Sequence, residues 1–301
     1  MDSPTASIPV INISPSNTDA PQELLSAASK HGFIFIENDA QSGIPPDEIA
    51  NLFSLSKTFF AAPLAEKEHV AISSNKAGKN LGWLSRGIEK LDPETQKRAD
   101  AKEAFNIGPP LPPSNNTLDQ PLPTTLAPHL QTITAFQTRC HALCQLLLSH
   151  LATALQIPSD WFTARHDQTR GPSGTVFRML YYPALPSSET EGVKDLRAGA
   201  HSDFGSLTLL FQLPGQPGLE IQTPSGDWAS VPVDPSGSAT RKEKGDEDAL
   251  AAVDKPALPI LVNIGDLLED VSSLPHRESS SNLLASPTHT HKHTHRSFPL
   301  N

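Results

Sequence analysis

The sequence is poor in cysteine, lacks a long apolar run and carries fewer basic than acidic residues, and each shortage removes a class of function. Only Cys140 and Cys144 occur in 301 residues, four positions apart in a stretch with helical spacing. A disulfide framework is therefore excluded as the basis of the fold. Two sulfurs cannot complete a zinc site either, so the pair reads as half-buried free thiols in a reducing cytosol. No stretch reaches the roughly 20 apolar residues of a membrane span. The opening Met1-Asp2-Ser3-Pro4-Thr5 has neither the basic nor the apolar region of a secretory signal. The expectation is a cytoplasmic protein with no membrane partner. With 23 Lys and Arg against 33 Asp and Glu, the net charge is −10. Nucleic-acid binding needs a concentrated basic surface, so no nucleic-acid partner is expected. No internal repeat is visible.

Apolar residues make up 37% of the chain, and its length suits one large domain, or one with a smaller companion. Ile8–Ile13 reads as a short opening strand, Pro21–His31 as a helix, and Gly32–Glu37 as a buried strand. From Pro46 to about Phe60, Ile49, Leu52, Phe53, Leu55 and Phe59 recur at helical spacing, and the pattern stops before Pro63. Proline-rich Pro109–Pro128 reads as a connecting loop. A long amphipathic helix follows, from about Thr125 to Ala154, with Leu130, Ile133, Phe136, Leu143, Leu147 and Leu151 on or near one face. From Gly171 the texture changes to short strands between turns: Thr175–Tyr182, Leu207–Gln212, Leu219–Gln222, Trp228–Val233 and Ile260–Asn263. Closely spaced short strands point to a sandwich or barrel. Ser236–Pro256 is a charged insert that reads as a solvated loop.

The residues with chemistry to offer are His201 and Asp203. On a strand, side chains two positions apart share a face, so an imidazole nitrogen and a carboxylate oxygen can reach one ion. Two histidines and one carboxylate on one face of an octahedron suit iron(II) and leave positions open for a co-substrate and dioxygen. The bland alternative is a surface histidine and an aspartate in the turn before Gly205.

The surroundings of the pair carry more information than the pair itself. Ala200-His201-Ser202-Asp203-Phe204-Gly205-Ser206-Leu207 is followed by Gly218-Leu219-Glu220-Ile221-Gln222, Gly226-Asp227-Trp228 and Leu261-Val262-Asn263-Ile264-Gly265-Asp266. This run resembles the isopenicillin-N-synthase-like family of iron(II)/2-oxoglutarate dioxygenases, which includes many biosynthetic oxygenases of secondary metabolism. Ile8–Ile13, His31-Gly32-Phe33, Gly82-Trp83, Gly87-Ile88-Glu89 and Lys102–Gly108 look like its N-terminal region, and Arg178–Pro183 like the strand before the metal motif.

The resemblance implies an α+β, mainly β fold: a double-stranded β-helix (jelly roll) core with an N-terminal strand and helix region and a long supporting helix. Residues 8–112 would form the N-terminal dioxygenase region, 113–170 the connecting loop and long helix, and 171–270 the jelly roll. His201 and Asp203 would be metal ligands. Tyr182 would contact 2-oxoglutarate, or else be a buried ring with a bonded hydroxyl. Leu180 stands where many members carry an asparagine that helps to hold the co-substrate. Asn263–Asp266 reads as a strand end and turn bracing the barrel. The implied cofactor is Fe(2+), with 2-oxoglutarate and dioxygen as co-substrates. The implied reaction is hydroxylation, desaturation or ring closure of a small organic metabolite, and the expected enzyme is a monomer.

The resemblance stops at Asp270. The family then has a His-Arg pair, whose histidine is the third ligand, and an Arg-x-Ser whose guanidinium pairs with the far carboxylate of 2-oxoglutarate. Here the nearest pair is His276-Arg277, which makes His276 the candidate third ligand, and Arg296-Ser297 lacks the spacer residue. Residues 271–301 are Ser-, Thr- and His-rich, including Thr288-His289-Thr290-His291-Lys292-His293-Thr294-His295, and read as a disordered tail. Loss of the last barrel strands would expose a sheet edge and open the core. The alternative function is thus a catalytically impaired or dead family member acting as a binding protein. A metal-dependent hydrolase on a similar jelly roll fits the Lys102–Gly108 and Asn263–Asp266 segments poorly. Val271-Ser272 can be encoded by GTAAGT or GTGAGT, which resembles a splice donor, so the tail reads as a translated intron. Transcript sequencing tests this: mature message that encodes residues 271–301, with no spliced alternative, contradicts it.

Overall fold

A computed structural model describes residues 4–39, 43–74, 80–89, 99–111, 117–171, 173–183, 198–223, 225–237, 257–273 and 295–297. Strand β1 (Val10–Ile11) leads to helix α1 (Ala20–His31). Glu23 in the first turn and Lys30 and His31 in the last complement the helix dipole. Gly32, at φ 66°, ends the helix in the left-handed conformation, its N–H bonded to Ala28 O. The chain then enters β2 (Phe33–Ile36). Helices α2 (Pro46–Phe60) and α3 (Leu64–His69) follow, then β3 (Gly82–Leu84) and β4 (Glu103–Ile107). The long helix α4 (Leu130–Ala154) buries Ile133, Phe136, Leu143, Leu147 and Leu151. After it come β5 (Phe177–Tyr181), β6 (Ala198–His201), β7 (Leu207–Leu210), β8 (Leu219–Gln222), β9 (Trp228–Ser230) and β10 (Ile260–Ile264). Helix α5 (Asp266–Ser273) and strand β11 (His295–Ser297) complete the described chain.

Three sheets result, with strand orders β1-β2-β10-β7, β6-β11-β8-β9 and β3-β4-β5. All pairings are antiparallel except β1 with β2. The first two sheets face each other across a core of Phe33, Phe35, Leu261, Leu219, Ile221 and Ala229. The opposite face of the first sheet, carrying Ile34, Ile36, Ile260 and Val262, packs with residues of α1, α2 and α4. A sheet covered on both faces needs apolar side chains at consecutive positions rather than alternating ones. That explains the uninterrupted Phe33-Ile34-Phe35-Ile36, in which every residue is buried.

β11 lies between β6 and β8 as an inner strand, with Arg296 opposite Glu220 and Ser297 opposite Leu219. Within the tail expected to be disordered, the described residues 271–273 close α5 and residues 295–297 form β11. His276 lies outside the described residues. Both cysteines are free and half-buried, as expected, and burial pushes the Cys144 thiol up to about 12. Such thiols are inert at neutral pH.

The third sheet carries two charged clusters, one on each face. On one, Lys67 Nζ donates to Glu103 Oε2 at 2.9 Å and to Phe60 O at 3.2 Å, and Trp83 Nε1 donates to the same Glu103 oxygen at 3.0 Å. Trp83 and Glu103, read above only as parts of motifs, thus form one contact. On the other face, Lys102 Nζ lies 2.6 Å from Asp100 Oδ2 and 3.0 Å from Glu89 Oε2, which also accepts from Arg178 Nη2 at 2.5 Å. Partial burial pushes the Glu89 carboxyl up, but Arg178 and Lys102 together outweigh it and hold the group below its ordinary value.

Two outcomes follow from this packing. Phe59 is fully buried, its ring 4.6 Å from that of Phe105. Phe59→Ala should cost about 3–5 kcal/mol, read as a lower denaturant midpoint at unchanged slope. Because the folded pKa of Glu89 is depressed, its charge stabilises the fold above the ordinary value of 4.5, and this contribution disappears as pH falls through the folded value. Wild type should therefore exceed Glu89→Gln in stability near neutral pH, with the gap closing in acid. A gap independent of pH would contradict the ion-pair account.

Candidate metal centre

β6 ends at His201, and Asp203 stands two residues on, outside the strand. Strand alternation therefore does not bring the two side chains together, contrary to the sequence argument. The contacts of the loop do. His201 Nδ1 is 2.9 Å from Gly199 O. A carbonyl can only accept, so Nδ1 carries the proton and the lone pair sits on Nε2. That nitrogen lies 3.8 Å from Asp203 Oδ1. The other carboxylate oxygen, Oδ2, accepts from Thr208 Oγ1 at 2.6 Å and from Asn263 Nδ2 at 2.9 Å.

Thr208 and Asn263 are direct partners in the β7–β10 pairing. Their neighbours Leu207, Leu209 and Val262 pack into the helical core, whereas Leu210 and Leu261 pack between the facing sheets. Period-2 alternation then puts Thr208 and Asn263 on the inner face, beneath Asp203. Neither residue was singled out in this role from sequence. Asn263 was read only as part of a bracing turn, because cross-strand register is not written in local pattern.

The bracing itself is real and tight. Asp266 N–H donates to Asp203 O at 2.8 Å, Gly265 N–H to Ser206 O at 3.0 Å, and Ser202 Oγ to Asp266 Oδ2 at 2.9 Å. A Cβ on Gly265 would lie 2.1 Å from Gly205 O and 2.9 Å from Asp203 O, so only glycine allows this approach. His166 adds a further hold: its Nδ1 donates to Phe162 O at 2.8 Å, so Ser206 Oγ donates to Nε2 at 2.7 Å.

The donor set fits a divalent metal ion. A lone-pair imidazole nitrogen and a carboxylate oxygen converge at a separation that bonds of about 2.1 Å can bridge. Each ligand is oriented through its other polar atom, as metal-binding histidines and carboxylates commonly are. The side chains are 18% and 27% exposed, so the site is open to small molecules. Among the described residues, no third His, Cys, Asp or Glu side chain joins them in a ligand group. The backbone register does place His295 of β11 opposite His201. The sequence reading passed over it, although His295-Arg296 is itself a His-Arg pair. Tyr182 directly follows β5 and is half-buried.

Two family profiles match the chain: a non-haem dioxygenase N-terminal region over residues 8–129, described from morphine synthesis, and the 2OG-Fe(II) oxygenase superfamily over residues 173–253. The chain is 32% identical over 256 residues to the proline hydroxylase buaE of Petromyces alliaceus, covering 82% of this chain and 69% of that protein. It is 31% identical over 261 residues to the 2-oxoglutarate-dependent dioxygenase ecdK of Aspergillus rugulosus, covering 82% and 70%. A full-length Neurospora crassa protein solved with alpha-KG and thymine has the same fold, with TM-score 0.68, 24% identity and coverage of 97% of this chain and 79% of that one. The facing sheets are the jelly roll of these oxygenases, and among the described residues no helix is long and apolar enough to cross a membrane. Profile, relatives and metal-fitting loop agree: the chain belongs to the isopenicillin-N-synthase-like 2-oxoglutarate-dependent dioxygenases, with Fe(2+) as cofactor and 2-oxoglutarate as co-substrate.

Proposed function

We propose that His201 Nε2 and Asp203 Oδ1 bind the iron, and that His295 supplies the third ligand. The observation that carries this reading is the division of labour within Asp203: Oδ2 is held by Thr208 and Asn263, and Oδ1 is turned to His201. The register of His295 with His201 favours it over His276 as the completing histidine. Two imidazoles and a carboxylate are the donor set that suits non-haem iron(II).

Iron(II) with 2-oxoglutarate supplies the activation of dioxygen and the oxidising equivalent that attacks a substrate C–H bond. The protein's own residues bind and orient. Gly199 O fixes the His201 tautomer, and Thr208 and Asn263 fix the carboxylate. The family pattern of Arg178–Pro183 supports a co-substrate contact for Tyr182. The substrate is a small organic metabolite of secondary metabolism, a class supported by the names of the relatives, a proline hydroxylase among them. Two free, unreactive thiols fit a monomeric enzyme of the cytoplasm.

Anaerobic titration with iron(II) and 2-oxoglutarate tests the ligand set. The wild type should develop the weak visible charge-transfer band of the chelated co-substrate. His201→Ala and His295→Ala should each lose it, because removing a ligand costs more than the roughly 10- to 100-fold of removing an outer-shell partner. A band unchanged in His295→Ala removes that residue from the set. No band in the wild type overturns the catalytic reading in favour of a binding protein.

A further inference from the structure

The mechanism above leaves the most buried acid of the third sheet unused. Asp100 has a side chain of zero exposure. Its backbone is locked to the preceding turn: its N–H donates to Glu89 O at 2.8 Å and its carbonyl accepts from Gly87 N–H at 3.2 Å. Oδ2 accepts from Lys102 Nζ at 2.6 Å, which gives the buried carboxylate the opposite charge it requires. Oδ1 reaches into another sheet and accepts from the Gly199 N–H at 3.2 Å.

Gly199 is itself buried and stands two residues before His201 in β6. On one side of its Cα it is held by Asp100. On the other it presents the carbonyl that accepts from His201 Nδ1 at 2.9 Å. Glycine has no Cβ to restrict its backbone, so that carbonyl needs an external anchor to keep one direction. If it turned away, the Nδ1 proton would lose its partner, the ring would exchange tautomers, and Nε2 would present a lone pair only part of the time.

We propose that Asp100 is a positioning residue for the metal centre: through Gly199 it fixes the carbonyl that sets the tautomer and orientation of the His201 ring. The inference rests on His201 being a metal ligand. Lys102 and the Gly87–Glu89 turn hold Asp100, Asp100 holds the backbone of β6, and β6 aims the imidazole. The N-terminal sheet thereby contributes to metal affinity without touching the metal.

Anaerobic equilibrium dialysis of the full chain with iron(II) alone, together with the thermal midpoint and the ring 15N shifts of His201 in the metal-free protein, tests it. Asp100→Ala should weaken iron binding about tenfold, the lower end of the outer-shell range, and should show mixed His201 tautomers. Asp100→Asn is isosteric and covers the case in which the alanine variant does not fold. Its single carbonyl oxygen goes to the Lys102 ammonium, leaving an amide NH2 against the Gly199 N–H, so the same two changes are expected. Phe59→Ala, a loss of volume in the helical core, should also lower the thermal midpoint but keep the Asp100–Gly199 bond, and with it the wild-type affinity and single tautomer. Asp100 variants with wild-type affinity and one tautomer overturn the proposal, as does a Phe59→Ala variant whose affinity falls in step with its stability. If the wild type itself binds no iron, the ligand reading fails instead, and the tautomer of the metal-free protein still decides the role of Asp100.

Discussion

The carboxylate of Asp203 is held through one of its oxygens, and the proposed metal centre depends on that hold. A carboxylate on a loop would rotate, offer either oxygen and spend part of its time in water. Here Thr208 and Asn263, opposite each other on β7 and β10, donate to the same oxygen and remove that freedom. Two donors on one oxygen fix the plane of the carboxylate, and the geometry comes from inner strands rather than from the loop itself. Sites supported by strands are held more closely than sites supported by loops alone.

The same logic runs outward. β10, which supplies Asn263, is buried on both faces between β2 and β7, and its end is tied to the helix-terminating Gly32 through the Ile264 N–H bond to Gly32 O at 2.9 Å. Gly265 then brings the next backbone turn against the loop of Asp203, where a side chain would collide with Gly205 and Asp203. The helical core thus has a direct bearing on the metal loop. The first sheet cannot shift on its helices without moving Asn263, and Asn263 cannot move without releasing Asp203.

How much of this was legible in the sequence depended on whether the signal was local. Phe33-Ile34-Phe35-Ile36 announced a doubly covered strand because continuous apolar character is itself the signature of that environment. The helices α1, α2 and α4 were legible from spacing and from their proline and glycine boundaries. His201 and Asp203 were legible as a motif, but the means of their convergence was not, since β6 stops at His201. Thr208 is an unremarkable hydroxyl within an apolar run, and only register with Asn263 gives it a task. β11 offered no apolar alternation, so a strand drawn from a Thr-His repeat was invisible to pattern. Lys67, Lys102 and Asp100, all buried, ran against the expectation that charge lies outside.

Among the described residues β11 follows every other strand, yet it sits inside the second sheet, between β6 and β8. Until it arrives, those two strands have no partner on their facing sides, and the sheet is two fragments rather than one. Such an arrangement makes closure a late, long-range event in folding, slowed by the entropy of the intervening chain. During synthesis the nascent protein must wait with two open strand edges, a state that invites pairing with other chains. Correct assembly is therefore a race between β11 and any foreign strand.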